Sequence, residues 1–234
     1  LAFLDADDLW QPEKLARVHQ CLQETGADLV CHDEYFVQDS KILRTHRYGP
    51  YTTYLDLLFF GNCLSPSAVT VRRALVEQVG VFSEDMRSHG IEDYDMWLRL
   101  AEAGVCIHYL HEPLGIFVMH DGNMSSEDGF AARESIVLSN HLERLDSADP
   151  VLAKGIRRRW GLHYACVAWE CLQLGNWRGA AGNFGRSLAR HPLGAQVWKY
   201  LLFGPGRLVW QSLRRSYSTG PPRRREQRLQ GTQE

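Results

Sequence analysis

The sequence predicts an α/β fold, in which a mixed sheet is flanked by helices, followed by an all-α extension. The apolar run of residues 1–4 ends abruptly in carboxylates, as expected of a short strand in a parallel sheet whose two faces are both covered. Extended and helical patterns then follow one another to about residue 148. Beyond a break at residues 146–150, the apolar spacing is helical.

Turn residues divide the first part of the chain into separate elements. Pro12 suits the first turn of a helix and Gly26 suits a helix end, so the residues between them are predicted to be helical. Residues 40–50 are polar and predict a hairpin or loop. Strands are predicted at residues 27–37, 69–71, 105–109 and 114–119, and helices at residues 12–25, 51–60, 72–79, 92–101 and 130–145.

The predicted domain organisation has three parts, with boundaries near residues 148 and 217. Residues 1–148 form the α/β unit, residues 149–217 a helical extension, and residues 218–234 a disordered basic tail. Helices at 151–174 and 177–190 form a hairpin that resembles one tetratricopeptide-like unit. A third helix at 196–216 is apolar and flanked by arginines, which suits either a membrane interface or a protein core.

The net charge of −2 hides an asymmetry between the two parts of the chain. Residues 151–234 contain 15 Lys and Arg against three Asp and Glu, a net charge of +12, whereas residues 1–150 carry a net charge of −14. The acidic part suits a metal-binding enzyme, and the basic part suits an anionic membrane surface, nucleic acid or the acidic part itself. No nucleic-acid-binding module is recognisable, so we expect no nucleic-acid partner.

The cysteines favour a reducing, cytoplasmic environment. The six cysteines form no Cys-x-x-Cys pair and fall mostly in apolar stretches, which favours free thiols over disulfides or zinc ligands. The sequence contains no signal peptide and no apolar run of membrane length. Because it begins at Leu1 within an apolar stretch, we expect a fragment of a longer protein.

Three carboxylates, Asp5, Asp7 and Asp8, follow the first apolar run. They would lie at the carboxyl edge of the sheet, where open α/β sheets bind their ligands. Clustered carboxylates repel one another unless a cation lies among them, and Mg²⁺ or Mn²⁺ prefers such oxygen ligands. The alternative is an acidic turn that caps the following helix, with Asp8 and Pro12 as its entry residues.

A second acidic group begins the helix at residues 92–101. Glu92, Asp93 and Asp95 fall in its first turn, ahead of an apolar stripe that includes Trp97. The alternative explanation is a helix start that the helix dipole stabilises.

Both acidic groups occur in motifs that resemble family 2 glycosyltransferases, which are inverting enzymes with the GT-A fold. Phe-Leu-Asp-Ala-Asp-Asp-Leu-Trp at residues 3–10 resembles the family's Asp-x-Asp segment, and Glu-Asp-Tyr-Asp-x-Trp-Leu-Arg-Leu at residues 92–100 resembles its acceptor-side motif. The resemblance implies a GT-A-like, Rossmann-like sheet whose nucleotide-binding strands would precede the present chain. We therefore expect this fragment alone to be inactive.

The resemblance assigns the donor side of the site. It implies that Asp7 and Asp5 hold Mg²⁺ or Mn²⁺, and that Asp5, Asp7, Asp8 and His120 contact the donor diphosphate. The family commonly has Arg two residues before this His, where the present chain has Val118. His120 could instead be a third metal ligand, or simply a partly exposed residue at the end of an edge strand.

The resemblance also assigns the acceptor side. Asp93 would be the general base that takes the proton of the acceptor hydroxyl, and Glu92, Asn62 and Trp97 would bind the acceptor. One base that acts opposite the leaving group implies inversion at the anomeric carbon.

The implied function is transfer of a sugar from a nucleotide-diphosphate donor to an acceptor hydroxyl, assisted by a metal ion, in cell-surface polysaccharide biosynthesis. The acceptor would be a glycan, a lipid-linked molecule or a protein. The protein would be cytoplasmic, with peripheral contact between its basic C-terminal segment and the anionic inner face of the cell membrane.

Two alternatives remain open from the sequence. The first is a non-catalytic, transferase-like scaffold whose helical tail binds a partner. The second is a phosphatase of the haloacid dehalogenase type, which also begins with an apolar strand and Asp-x-Asp. That pattern normally continues with Gly-Thr, where this chain has Asp8 and Leu9.

Overall fold

The computed structural model describes residues 1–120, 122–124, 129–192, 194 and 198. The predicted third helix at 196–216 (apart from Trp198) and the predicted tail at 218–234 lie outside the described residues. The strands are β1 (Leu9–Trp10), β2 (Leu29–Gln38), β3 (Lys41–His46), β4 (Val69–Val71) and β5 (Ile107–Val118). The α-helices are α1 (Lys14–Thr25), α2 (Tyr54–Phe60), α3 (Arg73–Val79), α4 (Glu92–Glu102), α5 (Phe130–Leu142), α6 (Pro150–Gln173) and α7 (Trp177–Arg190).

The central strand β2 organises a mixed sheet of order β1-β5-β2-β3. It pairs in parallel with β5, and on its other side it pairs antiparallel with β4 at its start and with β3 at its end. The turn between β2 and β3 consists of Asp39 and Ser40, which both have positive φ, as tight hairpins require. The hairpin therefore starts earlier than the stretch predicted as a hairpin or loop, residues 40–50, and most of that stretch forms the strand β3.

Apolar side chains cover both faces of the sheet. The main core lies between the sheet and helices α2 to α5, and it includes Leu29 of β2 and the fully buried Trp97 of α4. A smaller core with Val18 of α1 and Val30 of β2 covers the opposite face. Helices on both faces confirm the predicted α/β class.

The first four residues do not form the predicted buried strand. They pair antiparallel with β4, where Ala2 bridges to Thr70 and Leu1 exchanges backbone hydrogen bonds with Val71. Leu1 and Leu4 are 46% and 47% exposed, so the segment is not buried on both faces. Phe3 alone packs against the main core.

One strand replaces the two predicted at residues 105–109 and 114–119. β5 continues through Glu112 and Pro113, because the register of its pairing with β2 shifts on both sides of Asp33. Pro113 has no N–H to donate, and the irregular pairing accommodates it without ending the strand.

All six cysteines are free thiols, as predicted, although Cys106 is exposed. In the part of the chain that the structure describes, no helix is long and apolar enough to span a bilayer.

The helical hairpin of α6 and α7 is attached to the α/β unit through a buried cation. Arg159 of α6 is 4% exposed and donates through Nε to the Leu58 carbonyl of α2 at 2.9 Å. Its guanidinium also pairs with Glu134 of α5, whose second oxygen lies 3.0 Å from Nδ1 of His163. These contacts join three helices at one buried point.

We expect Arg159→Met to lower the free energy of unfolding by about 3 kcal/mol, because it leaves Glu134 without its main partner in a largely buried position. Urea denaturation would measure the loss. The matched control is Arg157→Met on the exposed side of the same helix, where we expect a change within about 0.5 kcal/mol. Equal losses in the two variants would contradict the assignment.

Candidate active site

Hydrogen bonds to Ser67, which is buried, and to the end of β5 hold the acidic turn of residues 5–8. The backbone N–H of Asp5 donates to Ser67 Oγ at 3.0 Å, and Ser67 Oγ donates to Asp8 Oδ2 at 2.6 Å. The other oxygen of Asp8 accepts the Val118 N–H at 3.0 Å. Asp8 is only 4% exposed, so the predicted contact between Asp8 and the donor does not fit its position.

Asp7 and His120 meet above this turn, although 113 positions separate them. His120 Nε2 lies 2.9 Å from Asp7 Oδ2, and Asn123 Nδ2 donates to the same oxygen at 3.3 Å. Both side chains of the pair are 42% exposed. The structure therefore brings these two predicted donor-side residues together at the surface.

Asp93 and Asn62, two of the predicted acceptor-side residues, are in contact in the structure. Asn62 Nδ2 donates to Asp93 Oδ2 at 3.2 Å, and the neighbouring Glu92 accepts the Gly90 N–H at 2.5 Å. The predicted acceptor contact of Trp97 is wrong, because its side chain is fully buried and has no surface for a ligand. Its indole instead packs against Phe3, with ring centroids 6.0 Å apart.

The charges of the two acidic groups act on each other. Burial and the negative charges of Asp8, Asp7 and Glu92 raise the pKa of Asp5 above its ordinary value. Burial raises the pKa of Asp93 to about 6, and the charges of Glu92 and Asp5 add to the effect against the hydrogen bond from Asn62. Asp5 therefore lies close enough to the start of α4 to affect the ionisation of Asp93.

The carboxylates of Asp5 and Asp7 suit a cation that a bound ligand also coordinates better than a cation held by protein side chains alone. Among the described residues, no group of three or more His, Cys, Asp or Glu side chains could hold a metal ion. Mg²⁺ commonly takes one or two carboxylates and completes its shell with substrate phosphates and water. Asp5 and Asp7, with mutually repelling and exposed carboxylates, suit that arrangement.

Sequence reasoning missed Ser67 and Asn123 as members of the site. Ser67 lies in a short 3₁₀ turn, Pro66–Ala68, within a stretch for which the sequence predicts neither a helix nor a strand. Its partners lie about 60 positions away, so no local pattern marks it.

Because the pKa of Asp93 is raised, ionisation of this carboxyl group lowers the free energy of unfolding. Because the folded state holds its proton more tightly than the unfolded chain, stability falls as pH rises from about 4 to about 6 and stays lower above that. We expect Asp93→Asn to raise the free energy of unfolding at pH 7 by up to about 2–3 kcal/mol, with a smaller gain at pH 4. Denaturation at several pH values would measure it.

Asp95 provides the opposite case on the same helix. The pKa of Asp95 is lowered, since its carboxylate accepts hydrogen bonds from His141 and Arg99 despite its burial. We expect Asp95→Asn to lower stability at pH 7. A stability loss for Asp93→Asn would contradict the electrostatic description of the site.

A solved structure has a similar fold. The crystal structure of S. aureus TarS residues 1–349 in complex with UDP-GlcNAc matches with a TM-score of 0.55 and 16% sequence identity. The match covers 92% of this chain and 66% of the TarS chain. It confirms the predicted GT-A-like fold. No curated protein matches the chain.

A family model identifies the sequence itself. The model described as glycosyl transferase family group 2 matches residues 1–203, which is most of the chain. This match removes the support for a phosphatase. The chain therefore belongs to glycosyl transferase family group 2 and carries its GT-A fold.

Proposed function

We propose that this chain is part of an enzyme that transfers a sugar from a nucleotide-diphosphate donor to an acceptor hydroxyl, by single displacement with inversion. The observation that carries the proposal is that Asp93, whose pKa is raised to about 6, lies near a second acidic group, residues 5–8. In that group, Asp7 pairs with His120 at the surface. Family membership supports the reaction class.

The donor side would be formed by Asp5, Asp7 and His120. Since TarS binds UDP-GlcNAc in a similar fold, a nucleotide sugar is the expected kind of donor. Mg²⁺ or Mn²⁺ on Asp7 and Asp5 would orient the diphosphate and neutralise its growing charge. His120 and Asn123, which hold Asp7 Oδ2 at 2.9 and 3.3 Å, would fix the carboxylate toward that ligand.

Asp93 would act as the general base. It takes the proton of the acceptor hydroxyl as the oxygen bonds to the anomeric carbon, and the nucleoside diphosphate leaves from the opposite face of the sugar. A pKa of about 6 leaves Asp93 mostly ionised at neutral pH and more basic than an ordinary aspartate. Asn62 would orient the carboxylate through the contact at 3.2 Å.

The proposal extends to the acceptor and the cellular setting. Glu92 would contact acceptor hydroxyls of a glycan, a lipid-linked molecule or a protein in cell-surface polysaccharide synthesis. A cytoplasmic enzyme with peripheral membrane contact is supported by the exposed Trp177, Arg178, Arg186 and Arg190 of α7 and by the absence of any Asp or Glu from residue 171 to 225 of the sequence.

We expect Asp93→Asn to lower kcat about 10²–10⁴-fold in the full-length protein, because the amide cannot accept the proton. Donor binding should survive. A panel of sugar nucleotides with Mn²⁺ would identify the donor, and calorimetry would compare affinities. Asp56→Asn, at a half-buried acid in the first turn of α2, is the control for kcat. Loss of donor binding in Asp93→Asn would argue against the base assignment, and a full-length protein without transfer or donor hydrolysis would favour the scaffold.

We expect Asp7→Ala to abolish metal-dependent binding of the nucleotide sugar, since it removes a predicted cation ligand. Titration with and without a chelator would measure the metal-dependent part. Glu77→Ala, which removes an exposed acid on α3, should bind as the unmodified protein does. Binding that persists in Asp7→Ala and ignores the chelator would exclude the metal role.

A further inference from the structure

Ser67 makes four hydrogen bonds to the acidic turn and to the helix entry that follows it. Its hydroxyl accepts the Asp5 N–H at 3.0 Å and donates to Asp8 at 2.6 Å. Its carbonyl accepts Trp10 Nε1 at 3.0 Å and Lys14 Nζ at 2.8 Å. Ser67 is fully buried, so one residue beneath the surface fixes the path of residues 5–14.

Asp8 extends this connection to the other flank of the site. Its second oxygen accepts the N–H of Val118, the last residue of β5, two positions before His120. The Met119 N–H then donates to the Val37 carbonyl at 2.7 Å, which attaches the same chain segment to β2. Asp8 thus bonds to the strand that leads into His120 and lies next to Asp7 in the chain.

The Lys14 amine strengthens the support from below. It is fully buried, 2.8 Å from the Ser67 carbonyl and 3.7 Å from the centre of the Trp10 ring. Burial lowers the pKa of Lys14 to about 7, and the contact with the aromatic face of Trp10 favours the charged form against that effect. Ser67, Asp8 and Lys14 therefore form a buried polar network under the exposed acidic turn.

We infer that Ser67 and Asp8 are positioning residues for the donor side: they hold Asp5 and Asp7 in register with His120 without touching the donor. This inference rests on the proposed function. Asp7 and His120 are 42% exposed, so burial does little to restrain them. A site that binds a cation and a diphosphate needs its ligands held within about 0.5 Å, and residues behind the ligands provide that restraint.

The test is Ser67→Ala in the full-length protein, with Ser187→Ala as its matched control. Ser187 is also fully buried, and its hydroxyl donates to the Gly161 carbonyl at 2.6 Å between α7 and α6, away from the acidic turn. Both variants lose a buried hydroxyl. Calorimetry would measure the Mn²⁺-dependent affinity for the donor identified in the panel, and kinetics would give KM for donor and acceptor separately.

We expect Ser67→Ala to weaken Mn²⁺-dependent donor affinity about 10–100-fold and to raise the donor KM, with the acceptor KM unchanged. Ser187→Ala should keep the donor affinity of the unmodified protein whatever its loss of stability. Asp8→Asn, which keeps the size of the side chain, should weaken donor affinity to a similar degree and retain the metal requirement. If Ser67→Ala fails to fold, the donor affinity of Asp8→Asn still tests the inference.

Unchanged donor affinity in Ser67→Ala or Asp8→Asn would overturn the inference. Equal weakening in Ser187→Ala would overturn it too, because the effect would then follow from any lost buried hydroxyl. Complete loss of metal dependence in Asp8→Asn would make Asp8 a cation ligand instead. If the unmodified full-length protein shows no metal-dependent donor binding, the proposed function itself fails, and that outcome is recognisable before any variant is made.

Discussion

The parallel pairing of β2 with β5 is the constraint on which the rest of the structure depends. It runs from Leu29 beside Ile107 to Val37 beside Val118, and both strands end at the same edge of the sheet. The carboxyl ends of parallel strands are where α/β proteins bind ligands. Because Val118 ends β5 there, its N–H meets Asp8, and His120 follows within reach of Asp7.

The two acidic groups concentrate negative charge in one part of the molecule, where His120 pairs with Asp7. Asp5, Asp7, Glu92 and Asp93 come from two segments separated by more than 80 positions, yet the charge of Asp5 reaches Asp93. Such an arrangement costs stability in the absence of a ligand, and proteins keep such costs mainly at functional sites. Asp95 is different, because hydrogen bonds from Arg99 and His141 satisfy its carboxylate and lower its pKa despite its burial. Burial raises the pKa of Asp8 as well, although Ser67 and the Val118 N–H donate hydrogen bonds to its two oxygens.

The helical extension is not loosely attached to the α/β unit. Arg159 and His163 of α6 reach Glu134 of α5, and Arg159 also bonds to the carbonyl of Leu58 in α2. The Leu57 carbonyl of α2 in turn accepts a hydrogen bond from the hydroxyl of Tyr94, the residue that follows Asp93 in the chain. The extension therefore stabilises helices that lie close to the start of α4.

The sequence by itself determined the features that depend on neighbouring residues. Apolar spacing and terminal residues predicted α1, α4 and the hairpin of α6 and α7, and two acidic motifs predicted the family. Only the tertiary structure decided that residues 5–8 rest on Ser67, that Trp97 lies in the core, and that β5 is one strand. These features depend on partners 50 to 110 positions away, and burial and hydrogen bonding over such distances leave no periodic trace in the local sequence.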